Sequence, residues 1–138
     1  MPQKVVAHFL DHRIVKGTTV AIDPSKPVCH IHTSADGMQV VELAKLKALY
    51  VVKDLAGRPG HREASEPDPN DLRLRGSREV YVLFRDGEHL SGLVNGQRSA
   101  RQFFWVLPID PESNNIRILV NRSAVLGISS ADGSLMSA

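Results

Sequence analysis

The chain has 138 residues and a mass of 15.2 kDa, enough for one ordinary domain or two very small ones. Apolar residues make up 42%, which argues against wholesale disorder, and aromatics only 5%. The formal charge is +2 and evenly spread, with six Lys/Arg against four Asp/Glu over residues 1–52, five of each over 53–77 and six of each over 78–138; nothing linear marks the concentrated basic face of a nucleic-acid binder.

Taken in order, Val5 to Leu10 has the β-branched and aromatic composition of a strand, with Val5, Ala7 and Phe9 on one face. Its apolar run is too short for a signal-peptide core or a membrane span. Asp11-His12-Arg13 is a turn, and Ile14 to Ile22 a second strand in which Gly17 marks a bulge or a sharp bend. After the loop Asp23–Pro27, Val28 to His32 forms a third strand and Met38 to Leu43 a fourth. One helical turn over Ala44-Lys45-Leu46 then leads into a fifth strand, Ala48 to Val52.

The pattern then recurs. Val5, Phe9, Asp11 and Gly17 have identical counterparts 75 residues later in Val80, Phe84, Asp86 and Gly92, and the register continues without a gap to Val28, Cys29 and Ile31 against Phe103, Phe104 and Val106. For the last two strands an offset of 77 aligns Val41, Leu43, Leu49 and Val51 with Ile118, Val120, Leu126 and Ile128, the two extra residues falling in the loop 110–115. Asp86-Gly87 is a strong hairpin signal; Asp11-His12 is a weaker one, so a looser first hairpin is expected.

The expected fold is all-β: two tandem five-stranded small barrels packed together, at 1–52 and 78–130. They are joined by an irregular charged connector at 53–77, pinned by Leu55, Leu72 and Leu74, and followed by a flexible tail at 131–138. The predicted core includes Phe9, Ile31, Leu43, Phe84, Val106 and Val120. Five short strands with a helical turn before the last resemble the SH3-like and Sm-like barrels. The whole chain is also similar to a bacterial domain family that shares this hairpin and the connector Lys53-Asp54-Leu55-Ala56-Gly57. That likeness implies a bacterial, regulatory protein, and no established activity travels with it.

Candidate chemistry is sparse. His30 and His32 project from one strand face about 6.5–7 Å apart, and Asp36 or His8 could complete a metal site. The second copy has Trp105 and Leu107 at those positions, so this face reads instead as a partner surface, and no metal or other cofactor is expected. Cys29 and His30 are adjacent on a strand and point to opposite faces, which excludes them as a nucleophile–base pair. As the sole cysteine, Cys29 suits a reducing cytoplasm. Arg58 and Arg62 resemble the Arg-x-x-x-Arg element of PilZ domains, which receive cyclic di-GMP, and Asn121 with Ser123 partly matches their second motif, although Gly127 comes one residue late. The resemblance implies a cyclic-dinucleotide site in which guanidiniums take phosphates. Phe103, Phe104 and Trp105 offer a weaker Sm-like, RNA-stacking alternative. The leading expectation is a non-enzymatic adaptor that works through a protein partner.

Overall fold

The computed structural model describes residues 2–57, 59–64, 66–95, 101–130 and 135–136. The first copy supplies β1 (Gln3–Phe9), β2 (Ile14–Thr19), β3 (Val28–Thr33), β4 (Gly37–Glu42) and β5 (Leu46–Val52). The second supplies β6 (Ser77–Phe84), β7 (His89–Asn95), β8 (Phe103–Pro108), β9 (Asn115–Asn121) and β10 (Val125–Ser130), and a short β11 (Leu135–Met136) follows. A single 3-10 turn precedes each fifth strand, at Leu43–Lys45 and Arg122–Ala124. The chain is all-β apart from such turns among the described residues. The six predicted core residues are all buried.

The strands form one antiparallel sheet in the order β11-β10-β6-β7-β8-β9-β5-β1-β2-β3-β4. The sheet runs through both copies and is not closed into a barrel, so of the two tandem small barrels expected to pack together only the all-β strand plan is seen. Closure would pair the fourth strand of each copy with its own fifth; instead β9 of the second copy pairs with β5 of the first, from Ala48↔Val120 to Val52↔Asn115. The three-residue turn between β4 and β5 brings the end of one edge strand to the start of the other. Each half therefore curls around its own apolar cluster without closing.

The seam strands β5 and β9 are buried on both faces. Leu46, Leu49 and Val51 join the first cluster while Ala48 joins the second; conversely Ile118 and Val120 stay in the second cluster while Leu119 enters the first. Successive side chains on a strand point to opposite faces, so only a strand flanked by two cores needs apolar residues at nearly every position. Leu-Lys-Ala-Leu-Tyr-Val-Val is such a run.

The 75-residue repeat is structural. Thr18↔His32 in the first half corresponds to Leu93↔Leu107 in the second. The first hairpin is no looser than the second: the Phe9 amide donates to Arg13 O and the His12 amide to Phe9 O, as Phe84 does to Glu88 and Gly87 to Phe84. His12 accordingly adopts a φ of 75°, a conformation that Gly87 reaches without a Cβ at 93°. For the last two strands the offset is 79, not 77. Phe9 pairs with Leu46 and Phe84 with Val125; Cys29 pairs with Val41 and Phe104 with Val120. The second copy thus absorbs four extra residues.

Gly17 marks a close approach and not a bulge, since β1 and β2 pair without a register shift from Gln3↔Thr19 to His8↔Ile14. A Cβ there would stand 2.8 Å from Ile31 Cγ2 and collide with the His32 carbonyl, and one at Gly92 would stand 2.6 Å from the Leu107 carbonyl and collide with Val106. Gly92→Ala is therefore expected to lower stability in urea denaturation by about 1–3 kcal/mol. Gly127→Ala, with nothing within 4 Å of the added atom, should change it by no more than about 0.5 kcal/mol. Equal effects at the two positions would refute the close-approach account.

Of the three leucines expected to pin the connector, Leu72 is 75% exposed while Leu55 and Leu74 are half-buried, and polar contacts add to the hold. The amides of Lys53 and Asp54 and the Asp54 carbonyl bind Asn114, and the Arg73 guanidinium donates to the carbonyls of Pro108 and Ile109. The C-terminal residues Leu135 and Met136, expected in a flexible tail, pair with Ser129 and Ile128 of β10. The rest of that tail, 131–134 and 137–138, lies outside the described residues.

Candidate functional site

Where the two halves meet, the Asp86 hairpin of the second reaches across to β5 of the first. Lys47 is the one charged residue in the apolar β5 run, and its side chain is only 10% exposed. Its ammonium lies 2.8 Å from Asp86 and 2.7 Å from Glu88, and 4.6 Å from the centre of the Phe84 ring. Burial works against the charged ammonium, but the hydrogen bonds and charges of the two carboxylates outweigh it and raise its pKa. In return Lys47, and then the Glu88 amide, hold Asp86 below the usual carboxylate range.

Tyr50, two residues after Ala48 on the same face, donates its hydroxyl to Glu88 Oε1 at 3.3 Å. Burial first, and then Glu88, push the phenol pKa well up, so it remains a donor. The His8 imidazole lies 4.7 Å from the Tyr50 ring. Burial, followed by the Lys47 charge, lowers its pKa, so that His8 favours the neutral form.

His8, Tyr50 and Glu88 wall a groove of about 610 Å³ running along the seam. Val6, Ile14 and Leu90 supply apolar surface, and Tyr81 stacks on His89 with ring centres 5.1 Å apart. Connector residues Leu55 to Gly57 and Glu63 form one rim, with the Leu55 carbonyl held by Lys16 Nζ at 3.1 Å. A second recess of about 580 Å³ shares His8, Ile14 and Glu88 with the first and runs on toward Phe9, Lys47 and Arg85.

At the far rim Asp110, 6% exposed, anchors the connector by accepting from the Ala64 amide at 3.0 Å and meeting His61 Nε2 at 2.7 Å. The Ala64 amide is the main cause holding its carboxyl below the usual range, with burial opposing and the Glu112 amide assisting. His61, Glu63 and Asp110 place their ligand atoms within 4.8 Å of one another, a metal-capable spacing. Because the Asp110 oxygens already accept from Ala64, Glu112 and His61, the set serves as a structural anchor.

The residues singled out from the sequence do not converge. His30 and His32 are exposed on β3. Trp105, at the position equivalent to His30, turns instead toward the first half's core, with the Arg117 guanidinium 3.9 Å over its ring. Leu107 is half-buried opposite Leu93. Of the dinucleotide candidates, Arg58 lies outside the described residues and Arg62 is exposed beside the His61–Asp110 anchor. That anchor precedes the start of β9, whereas Asn121 is the last residue of that strand, about 20 Å along at a strand's rise per residue. Asn121 is 1% exposed and donates to the Leu46 carbonyl, while its oxygen accepts from the Ser123 amide and Gln102. Ser123 Oγ accepts from the same Gln102. Cys29 is buried against the Thr19 hydroxyl at 3.5 Å.

A model described as a family of unknown function, DUF6982, matches residues 1–130. The chain belongs to the DUF6982 family. No curated protein and no solved structure matches it. Among the described residues of this DUF6982 chain, no helix is long and apolar enough to cross a membrane. Sequence reading had passed over Lys47, Tyr50 and Glu88; the available signal was a lone lysine inside an apolar strand, paired in space with the acidic tip of the repeated hairpin.

Proposed function

We propose that this DUF6982 chain is a regulatory binding module whose seam groove takes an extended segment of a protein partner. The scaffold in this reading is a duplicated small barrel of the SH3-like or Sm-like kind. Its support is the strand order 5-1-2-3-4 found in both halves, each with a 3-10 turn before its fifth strand. The carrying observation is the groove itself. It is long, walled by His8, Tyr50, Tyr81 and His89, apolar along Ile14 and Leu90, and flanked by Lys16 and Glu88. Such a mix of flat rings and a few fixed polar groups suits side chains and main chain of a bound peptide.

Three ionisable groups beside it are held in charged, paired states, Lys47 upward and Asp86 and Asp110 downward, while His8 and Tyr50 in its wall are pushed toward their neutral forms. Groups tuned in that sense hold structure together, whereas acid–base catalysis needs a group poised near neutral pH. The lone thiol, buried in the first core, accords with a reducing compartment.

The test is affinity capture from a bacterial host with the wild-type chain and a Tyr81→Ala/His89→Ala variant, followed by titration of the captured partner. Both residues are exposed, so the variant should keep its fold. A partner bound by the wild type and released by the variant is the expected result. A partner indifferent to both substitutions overturns the groove, and substrate turnover abolished by a single groove substitution overturns the non-enzymatic reading.

A further inference from the structure

The seam joins the fourth strand of one repeat to the fifth strand of the other, and each repeat owns both. Shifting β9 back by the 79-residue offset gives β4, and shifting β5 forward gives β10. In the sheet order β4 is an outer edge, and among the described residues the two-residue β11 alone lies beyond β10. The same contact that joins the halves is thus left half-made at each end of the chain. We infer that β4 is a docking edge for β10 of a second copy of this chain, and that β11 is an internal strand that competes for the same place.

The register supports the inference in detail. The seam pairs Ala48↔Val120, Leu49↔Leu119 and Tyr50↔Ile118. Transposed by 79, these become Gly127↔Val41, Ile128↔Val40 and Ser129↔Gln39 between two molecules. β11 occupies two of those three positions, Ile128↔Met136 and Ser129↔Leu135. Met136 therefore stands where Val40 of a second copy would stand.

The docking face carries the matching chemistry. Leu119, which enters the first core, corresponds to Val40, which is 63% exposed; Arg117 corresponds to Met38, 60% exposed. On the opposing strand Lys47 corresponds to Leu126, 58% exposed. No proline interrupts β4, and its one charge, Glu42, stands at the strand's end beyond the Gln39–Val41 pairs, so those three positions remain open to strand pairing.

Two polar pins of the seam have no counterpart. Leu126 cannot make the Lys47 ion pair, and Glu42, at the Asn121 position, cannot donate to a carbonyl. The intermolecular joint is consequently weaker than the internal one and reversible. Because it joins different edges, it is heterologous and adds copies head to tail.

Sedimentation velocity over a range of concentrations tests this on the full chain. Met136→Pro removes the β11 amide and frees β10; it should give concentration-dependent species larger than the wild type shows. Adding Val40→Lys, an exposed site where the fold is not at risk, should return the chain to monomer. The register is tested by mixing Gln39→Cys and Ser129→Cys chains, both on the Met136→Pro background. A mixed disulfide in excess of either homodimer is expected. Monomer at every concentration for Met136→Pro, larger species that persist with Val40→Lys, or cross-links without preference for the mixed pair would each overturn the inference.

Discussion

Phe84→Ala is expected to cost about 3–5 kcal/mol of folding stability, the largest single effect in the second half. The ring is 1% exposed, closes β6 opposite Val125, and packs among Val82, Phe104, Val106 and Ile128 in the second core. Truncation removes its buried surface and leaves a cavity that neighbours on three strands cannot fill together. It also strips the Lys47 ammonium of the ring beneath it, 4.6 Å away, and so loosens the seam. Phe9 occupies the same place in the first half but is 7% exposed and covered by Arg13 from outside, 4.4 Å above its ring. Phe9→Ala should therefore cost less than Phe84→Ala. Urea denaturation of both variants decides the matter; a loss under about 1 kcal/mol for Phe84→Ala would contradict its place in the core.

Asn121→Leu is expected to destabilise by about 2–4 kcal/mol, with the loss concentrated at the seam. The side chain is 1% exposed and spends both ends, donating to Leu46 O at 2.8 Å and Ala44 O at 3.4 Å while accepting from the Ser123 amide and Gln102 Nε2. Leucine fills much the same volume but meets none of these groups, so the main-chain groups at the β5 and β10 entrances lose a partner in a dry site. Asn121→Asp keeps the acceptor but turns a buried carboxylate oxygen toward the Leu46 and Ala44 carbonyls, and should cost at least as much as leucine. Hydrogen exchange gives the second readout: amides of β5 and β9 should exchange faster in Asn121→Leu, while those of β2 and β3 follow only global stability. Unchanged seam protection would mean that packing alone holds the halves together.

The local pattern of the chain carried a great deal. Alternation at Val5-Ala7-Phe9 and Val80-Val82-Phe84 located the strands and their buried faces, and Asp86-Gly87 located the hairpin that later proved to grip Lys47. The repeat was visible because identical residues sit at turns and close approaches, Asp11/Asp86 and Gly17/Gly92, where backbone geometry restricts the choice. The shift between an offset of 77 and one of 79 was not visible, and the reason is periodicity. A strand has a side-chain period of two, so sliding an alignment by two residues returns every apolar residue to the same face. Only the hydrogen-bonded register Cys29↔Val41 against Phe104↔Val120 resolves it.

The sequence by itself determined an all-β chain, its strands and the six core residues from Phe9 to Val120, because these follow from neighbours a few residues apart, and its duplication, because that local pattern recurs along the chain. Tertiary structure decided that the two copies share one sheet, that Trp105 faces inward while His30 faces outward, and that Lys47, Glu88 and Tyr50 come together. A strand edge offers the same amides and carbonyls to any partner strand. Whether β9 pairs with β5 or with β10 therefore rests on what the outer faces bury, Leu119 into one core and Ala48 into the other. That sum runs over residues more than seventy positions apart, and no local pattern contains it.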